Sequence, residues 1–133
     1  MPEQTIKILL VEDEPDYNNM AEYMLKKMAE AIKLTYALDL ASAIVQVKQG
    51  GFDIILLDLN LPDSKGLDTV RGMVKGASGI PIVVLTATND DKVGVAAVKA
   101  GAQDYLVKGD YDSRLLHQTI RHAMARTSPH RNE

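Results

Sequence analysis

Acidic residues stand at the ends of two apolar runs in this chain. Glu12 and Asp13 follow the run that ends at Val11, and Asp58 follows Leu57 at the end of another run. If both runs are parallel strands of one sheet, their carboxyl ends meet at one edge and the three carboxylates lie together. Like charges in a poorly hydrated pocket repel each other, and protonation, a basic partner or a divalent cation relieves that repulsion. The pattern therefore predicts a metal-assisted reaction on a carboxylate.

Size and composition narrow the classes of protein that the chain can belong to. Its 133 residues fit one domain and leave no room for a second catalytic domain. An aromatic content of 5% and a net charge of -3 argue against a direct nucleic-acid partner. The absence of cysteine excludes disulfides, thiolate metal sites and a cysteine nucleophile. The first apolar run is too short for export or for spanning a bilayer, so we expect a cytoplasmic protein with no membrane partner.

Short apolar runs alternate with segments of helical spacing, which is typical of a parallel sheet covered on both faces. The third and fourth runs are continuous and β-branched, as central strands are, while the second suits an edge. The elements predict an α/β domain with a five-stranded parallel sheet, doubly wound and flavodoxin-like, with strand order 2-1-3-4-5. The predicted strands cover 6–11, 33–37, 53–57, 80–85 and 104–107.

Helical segments separate the predicted strands. The first helix opens at Pro15, whose fixed φ suits the first helical position. Its apolar residues at helical spacing are Met20, Tyr23, Met24 and Met28. The remaining helices are predicted at 40–48, 66–75, 91–100 and 112–126. The last one has Leu115, Leu116, Ile120 and Met124 facing inward. We expect one domain over 1–126, followed by a polar C-terminal tail over 127–133.

Four short motifs lie at the ends of four predicted strands or around them. They are Val11-Glu12-Asp13-Glu14-Pro15, then Leu57-Asp58-Leu59-Asn60-Leu61-Pro62-Asp63-Ser64-Lys65-Gly66, then Leu85-Thr86-Ala87, and finally Gly101-Ala102-Gln103-Asp104-Tyr105-Leu106-Val107-Lys108-Gly109. Any one of them is a weak signal, but four in this order form a specific pattern. With these motifs, nearly the whole chain resembles the CheY-like receiver domains of two-component response regulators.

The resemblance implies that Asp58 is the phosphoacceptor. It would take a phosphoryl group from the phosphohistidine of a sensor histidine kinase or a histidine phosphotransfer protein. By the same resemblance, Mg²⁺ would be held directly by Asp13 and Asp58 and by the main-chain carbonyl of Asn60, with Glu12 acting mostly through water. The family often has aspartate where Glu12 stands. The acyl phosphate would make the protein a signalling switch that catalyses only its own phosphorylation and dephosphorylation.

Further roles follow from the same resemblance. Lys108 would contact a phosphoryl oxygen, and before phosphorylation it would pair with Asp58. Thr86 would donate its hydroxyl to another phosphoryl oxygen, and Tyr105 would turn inward as Thr86 moves. Small Ala87 would leave the phosphate an entry path, and Asn60 and Thr88 would tune the lifetime of the phosphoryl group.

The implied output is a change in the surface of the fourth helix, fifth strand and last helix, which would bind an unknown downstream protein. A phosphorylation-dependent dimer is an open alternative. Many family members have proline after the lysine, often with a cis bond, whereas Gly109 stands here, so the isomer of the Lys108–Gly109 bond is open. The sequence also leaves open whether the chain acts alone or belongs to a longer protein.

Other interpretations remain for single residues and for the whole chain. Glu12 and Asp13 could simply be acids near a helix start, Asp58 a turn residue and Lys108 a solvated charge. A phosphohydrolase that uses an aspartyl phosphate lacks support, because Asn60 stands where its second acid is expected. A flavin or nucleotide carrier would need a glycine-rich loop that the chain lacks. A receiver that is never phosphorylated is the last alternative.

We read the three histidines as surface residues: His117, His122 and His130.

Overall fold

The computed structural model describes residues 5–77, 79–87 and 91–127. In chain order the elements are β1 (Thr5–Val11), α1 (Pro15–Leu25), β2 (Ala31–Ala37), α2 (Leu40–Gln49), β3 (Ile54–Asp58), β4 (Asn60–Leu61), β5 (Ser64–Lys65), α3 (Leu67–Gly76), β6 (Ile82–Thr86), α4 (Asp91–Lys99), β7 (Asp104–Val107) and α5 (Ser113–Thr127). The predicted strands and helices are all present, and their ends match the prediction or differ from it by at most three residues. In addition, β4 and β5 form a short antiparallel pair that the sequence pattern did not predict.

The main sheet has five parallel strands in the order β2-β1-β3-β6-β7. This confirms the predicted doubly wound topology, because β6 and β7 are the fourth and fifth strands of the prediction. Hydrogen bonds continue past the strand ends: Glu12 N donates to Ala37 O at 3.0 Å, and Lys108 N donates to Thr86 O at 2.7 Å. The residues that follow the strands are therefore held in register at one edge of the sheet.

Two apolar layers cover the sheet, one on each face. Alternate residues of a strand point to opposite faces, so each central strand contributes to both layers. On one face Leu9, Val11, Ile55, Leu57 and Val84 pack with residues of α2, α3 and α4. On the other face Ile8, Leu10, Leu56, Val83 and Leu106 pack with residues of α1 and α5. Both central strands, β3 and β6, are fully buried, as their continuous apolar runs predicted.

The buried face of α1 differs from the apolar spacing identified in the sequence. Met20 and Tyr23 are 53% and 64% exposed, whereas Ala21 and Leu25 are buried. Met28 is buried as well, but it follows the helix, which ends at Leu25. Ala21 and Leu25 thus face the sheet together with partly buried Met24, while Met20 and Tyr23 lie at the surface.

The predicted inward face of α5 is also partly wrong. Leu116 and Ile120 are buried as predicted, and Met124 is partly buried, but Leu115 is 41% exposed. Leu115 lies one residue before the buried row, which turns it by about 100° around the helix axis. His117 is a second correction, because it is half-buried and its ring Nε2 lies 2.7 Å from the carbonyl oxygen of Met24. The exposed position of His122 agrees with the prediction.

Some predictions fall outside the described residues. Thr88 and His130 lie outside them, as does the predicted tail apart from Thr127. Among the helices of the described ranges, none combines the length and the apolarity that crossing a membrane requires.

Candidate functional site

The three predicted carboxylates come together at the carboxyl edge of the sheet. Glu12 and Asp13 follow β1, and Asp58 is the last residue of the neighbouring strand β3. One oxygen from each of the three side chains lies within 4.8 Å of the others. Glu12 and Asp58 are only 1% and 4% exposed, whereas Asp13 is exposed. Two of the acids are therefore buried in the sheet edge, and the third faces solvent.

Lys108 reaches the same cluster from the end of β7. Its ammonium nitrogen Nζ lies 2.5 Å from Oε1 of Glu12 and 3.3 Å from Oδ1 of Asp58. The Lys108 side chain is 5% exposed, so solvent screens these ion pairs weakly. The expected pairing with Asp58 is present, but the shorter contact is with Glu12. The single ammonium thus contacts two acids at once and offsets one of their two charges.

The peptide bond between Lys108 and Gly109 is trans, which answers the question that the sequence left open. Gly109 has φ of +81°, in the left-handed region that favours glycine. A proline could not adopt this φ, because its ring fixes φ near -65°. The backbone after Lys108 therefore requires the glycine that replaces the usual proline.

Burial dominates the acid–base behaviour of Glu12. It raises the pKa of Glu12 above its ordinary value, and the charge of Asp58 acts in the same direction. The hydrogen bond from Lys108 and the backbone hydrogen bond from Glu14, whose N–H donates to Oε2 at 3.1 Å, act in the opposite direction. The negative charge of the cluster is thus only partly offset by the protein's own groups.

The donor set at this edge fits a hard divalent cation. Carboxylate oxygens on three side chains are the ligands that Mg²⁺ prefers, and Mg²⁺ commonly keeps several waters besides one or two carboxylates. The solvent-facing position of Asp13 leaves room for such waters on one side of the cluster. The residues present therefore fit the metal that the sequence predicted.

Three further predicted site residues lie at the ends of the strands next to this cluster or in the loop after Asp58: Thr86, Ala87 and Asn60. Thr86 ends β6 and is 2% exposed, and its neighbour Ala87 is exposed. β6 pairs with β3 in such a way that Asp58 stands beside Leu85. Asn60 is exposed in β4, two residues after Asp58. The sheet thus brings Glu12, Asp13, Asp58 and Lys108 together, and Thr86 stands one residue past the partner of Asp58 on the neighbouring strand.

The loop after Asp58 is folded into a compact hairpin. Leu59 O accepts hydrogen bonds from Gly66 N at 2.8 Å and from the hydroxyl of buried Thr69 at 3.0 Å. Asp63, at the hairpin tip, accepts from the N–H groups of Leu40 and Ala41 at 2.8 and 3.0 Å. The loop that carries Asn60 is therefore attached both to α3 and to the first turn of α2.

Tyr105 is half-buried and lies in β7, which β6 separates from β3 and its Asp58. Its ring packs against α4 at Gly94, where a Cβ atom would overlap ring carbons. Because Gly94 has no side chain, the ring of Tyr105 lies directly on the backbone of α4. Tyr105 is consequently in contact with the helix that the sequence assigned to the switching surface.

Two residues of α1 contact the site although the sequence analysis did not single them out. The ring of Tyr17 lies over Lys108, with Nζ 4.0 Å from the ring centroid. The side-chain amide of Asn18 donates to the main-chain oxygen of Glu12 at 3.0 Å. The sequence does place Tyr17 and Asn18 in the first turn of the helix that follows Glu12 and Asp13. This position at the sheet edge could have indicated that they contact the site.

Comparison with known proteins assigns the chain to one family. Residues 8–121 match the family described as response regulator receiver domain, and the chain belongs to that family. It is 32% identical to the transcriptional regulatory protein ZraR of Salmonella typhimurium over 92% of the chain and 27% of the relative. It is 37% identical to the transcriptional regulatory protein CusR of Escherichia coli over 77% of the chain and 44% of the relative. The chain thus spans about a quarter to a half of the curated relatives that it matches.

Solved structures agree on the fold. A CheY-like response regulator receiver domain protein from Methanospirillum hungatei has a TM-score of 0.78 and 20% identity, covering 96% of this chain and 99% of that one. NtrX from Brucella abortus in complex with ADP has a TM-score of 0.84 and 23% identity, covering 97% of this chain and 29% of that one. The chain is a response regulator receiver domain of two-component signalling, as the sequence motifs predicted.

Proposed function

We propose that the chain accepts a phosphoryl group on Asp58, from the phosphohistidine of a sensor histidine kinase or a histidine phosphotransfer protein. One observation carries this proposal: three carboxylates gather within 4.8 Å at the sheet edge, and Lys108 contacts two of them. A carboxylate that is buried beside an ammonium and a metal site is a competent nucleophile toward phosphorus.

In the proposed transfer, a carboxylate oxygen of Asp58 forms a bond to phosphorus as the bond between phosphorus and the donor histidine nitrogen breaks. The electron pair of that bond stays on the histidine nitrogen. Mg²⁺, when bound, would offset the repulsion between the carboxylate and the phosphoryl oxygens. Asp13, Asp58 and the Asn60 carbonyl would hold it, with Glu12 acting mostly through water.

The remaining residues act on the phosphoryl oxygens. Lys108 moves from Glu12 toward a phosphoryl oxygen, because the new charge is greater and closer to the ammonium. Thr86 donates its hydroxyl to a second oxygen, and Ala87 leaves the entrance open. We further propose that Asn60 and Thr88, which lies outside the described residues, set the lifetime of the acyl phosphate.

The output that we propose is a change in the surface formed by α4, β7 and α5. Movement of Thr86 toward the phosphate frees space for Tyr105, whose ring already lies on α4 at Gly94. Relatives of this chain are named transcriptional regulatory proteins, so a step toward gene control is our proposal for the downstream partner. We place the exchange in the cytoplasm and expect a protein partner rather than direct contact with nucleic acid or membrane.

The experiment that tests the proposal is intact-protein mass spectrometry after incubation with acetyl phosphate and Mg²⁺. We expect one added phosphoryl group that hydroxylamine removes, in the wild type only, and none after chelation or in Asp58→Asn. Asp68→Asn is the matched control, because this exposed aspartate pairs with Arg71 at the surface and lies outside the carboxylate cluster. An unchanged mass in folded wild-type protein, with acetyl phosphate and with a histidine kinase panel, would contradict the proposal.

Two further measurements address the switch and the enzyme alternative. Hydrogen exchange of residues 91–127 should change on phosphorylation, and sedimentation of the same samples reports whether a dimer forms. Steady release of phosphate from a phosphomonoester would instead support the phosphohydrolase interpretation. We expect no such turnover, because a receiver transfers only the group that it holds.

A further inference from the structure

We infer that Tyr17 is a positioning residue that acts on the phosphoryl group through Lys108. The inference rests on the proposed function, in which Lys108 contacts a phosphoryl oxygen. It starts from the burial of Lys108: this side chain stands at the sheet edge, yet it is only 5% exposed. The ring of Tyr17, itself 41% exposed, lies between the ammonium and solvent.

The contacts of the ammonium account for all of its donors. A lysine ammonium has three N–H groups. Glu12 and Asp58 lie 2.5 and 3.3 Å from Nζ, and the Tyr17 ring face lies 4.0 Å away, measured to its centroid. The ring quadrupole attracts the cation, and this attraction is stronger where water is excluded. The Tyr17 ring therefore covers one side of the Lys108 ammonium, and the two acids contact its other sides.

A ring face suits a cation that has to move. The proposed transfer shifts Lys108 from Glu12 toward the phosphoryl group on Asp58. A hydrogen-bond acceptor would fix one position of the ammonium, because hydrogen bonds weaken steeply with angle. The attraction of a ring face changes little over a small lateral shift, so Tyr17 keeps the ammonium in the pocket in both states.

A second tyrosine lies near the same corner. Burial raises the pKa of Tyr111, and the charges of Glu12 and Tyr17 act in the same direction. Tyr111 follows β7 and packs against the core layer of α1 and α5. Half-buried Tyr111 thus lies close enough to Tyr17 for the charge of Tyr17 to act on it.

The test compares variants that separate the effect of the aromatic ring face from the effect of side-chain volume. Tyr17→Phe keeps the ring face, Tyr17→Leu keeps apolar volume without it, and Tyr17→Ala removes both. Phosphorylation by acetyl phosphate and Mg²⁺, followed by mass, should be roughly tenfold slower in the Leu and Ala variants, which corresponds to about 1.4 kcal/mol, and near wild type in Phe. Tyr23→Leu is the matched control: its ring also lies over a lysine, Lys27, at 4.3 Å, and both belong to the exposed surface of this region.

A metal-free measurement gives an independent readout. Acetic anhydride labelling, read by peptide mass, reports how accessible the Lys108 amine is relative to exposed Lys33. We expect Lys108 to react several-fold faster in Tyr17→Leu and Tyr17→Ala than in the wild type, and Tyr17→Phe to restore the slow reaction. This comparison needs neither Mg²⁺ nor a phosphoryl donor.

Each outcome decides the inference. Wild-type rates in Tyr17→Leu, or a Tyr17→Phe variant as slow as the Leu variant, would overturn it, as would an equal loss in Tyr23→Leu. A wild type that gains no phosphoryl group would refute the proposed function instead. In that case the amine labelling still decides whether Tyr17 holds Lys108, because faster labelling in the Leu variant supports the contact and unchanged labelling overturns it.

Discussion

At the scale of single residues, the charge of the site depends on Lys108. It contacts Glu12 and Asp58 in a place where all three side chains are at most 5% exposed. Removing one partner of a buried ion pair leaves an uncompensated charge, which commonly destabilises a protein by about 3 kcal/mol or more. The ammonium therefore contributes to stability as well as to the proposed chemistry.

We predict that Lys108→Met lowers the free energy of unfolding by about 3 kcal/mol without metal, and that Mg²⁺ restores part of this loss. The physical reason is that methionine retains apolar length but leaves both acids without a cation. Urea unfolding with and without Mg²⁺ measures both effects. Exposed Lys27→Met is the control, and equal stabilities of the two variants would contradict the role of Lys108.

Residue types and spacing were enough to predict the acids and the lysine of the site. Acids that end apolar runs, and a lysine that ends another, leave few alternatives once the strands are parallel. Tyr17 and Asn18 could not be predicted in this way, because their contacts depend on how α1 leaves the sheet edge. The shorter contact of Lys108 with Glu12 could not be predicted either, since Glu12 and Asp58 are both carboxylates and the sequence does not distinguish them as partners.

At the scale of elements, the hairpin of β4 and β5 connects the site to α2. The carboxylate of Asp63 accepts two backbone N–H groups in the first turn of α2, across 22 and 23 residues of chain. Such contacts satisfy donors that the helix itself leaves without partners. The same hairpin carries Asn60, so the position of its carbonyl depends on this attachment.

We predict that Asp63→Ala lowers the free energy of unfolding by about 1 kcal/mol and also weakens Mg²⁺ binding. Asp39→Ala is the matched control, because Asp39 caps the same helix through Ser42 N at 2.8 Å but lies outside the hairpin. It should lose similar stability and keep Mg²⁺ affinity. Urea unfolding and Mg²⁺ titration give the two quantities, and equal Mg²⁺ affinities in both variants would argue against the hairpin's role.

The contact between β7 and α4 gives a second prediction at this scale. A Cβ atom at Gly94 would overlap the ring of Tyr105, so Gly94→Ala should destabilise the wild type by about 1 to 3 kcal/mol. In a Tyr105→Ala background the same change should stabilise by up to about 1 kcal/mol, because alanine favours helix more than glycine does. Urea unfolding of the four proteins measures the coupling, and additive effects would contradict the packing.

The main elements could be predicted from periodicity, whereas their short companions and some faces could not. Two-residue strands such as β4 and β5 have no period to detect, and side-chain and backbone hydrogen bonds hold them instead. The exposed position of Leu115 shows that some helix faces could not be predicted either. Leu115 and Leu116 are adjacent, and only packing decides which one faces the sheet.

At the scale of the whole molecule, α5 closes the layer that covers one face of the sheet. The ring of His117 contacts Met24 O at the end of α1, and the guanidinium of Arg121 donates to Glu30 through two nitrogens, at 3.1 and 2.9 Å. These contacts join residues 91 and 93 positions apart, so they fix the last helix against the end of α1 and the loop that follows it. The surface proposed to switch is thereby anchored at its α5 side.

We predict that this anchor weakens in acid. The hydrogen bond from Arg121 holds the pKa of Glu30 below its ordinary value of 4.5, so the folded state favours the ionised form. For a group with a lowered pKa, the stabilisation is complete above the unfolded value and is lost as the pH falls through the folded value. Glu30→Gln should therefore lower the free energy of unfolding by up to about 1 kcal/mol at neutral pH, and this difference should vanish as the pH falls below 4.5.

Urea unfolding of the wild type and Glu30→Gln between neutral and acidic pH measures this difference. Asp68→Asn is the control, because the pair of Asp68 with Arg71 is exposed, at 3.4 Å, and should contribute little at any pH. A difference for Glu30→Gln that stays constant through the acidic range would mean that geometry, not ionisation, accounts for its effect. A difference that grows in acid would have the wrong sign for a lowered pKa, and the ion pair would then not be what fixes α5 to the loop between α1 and β2.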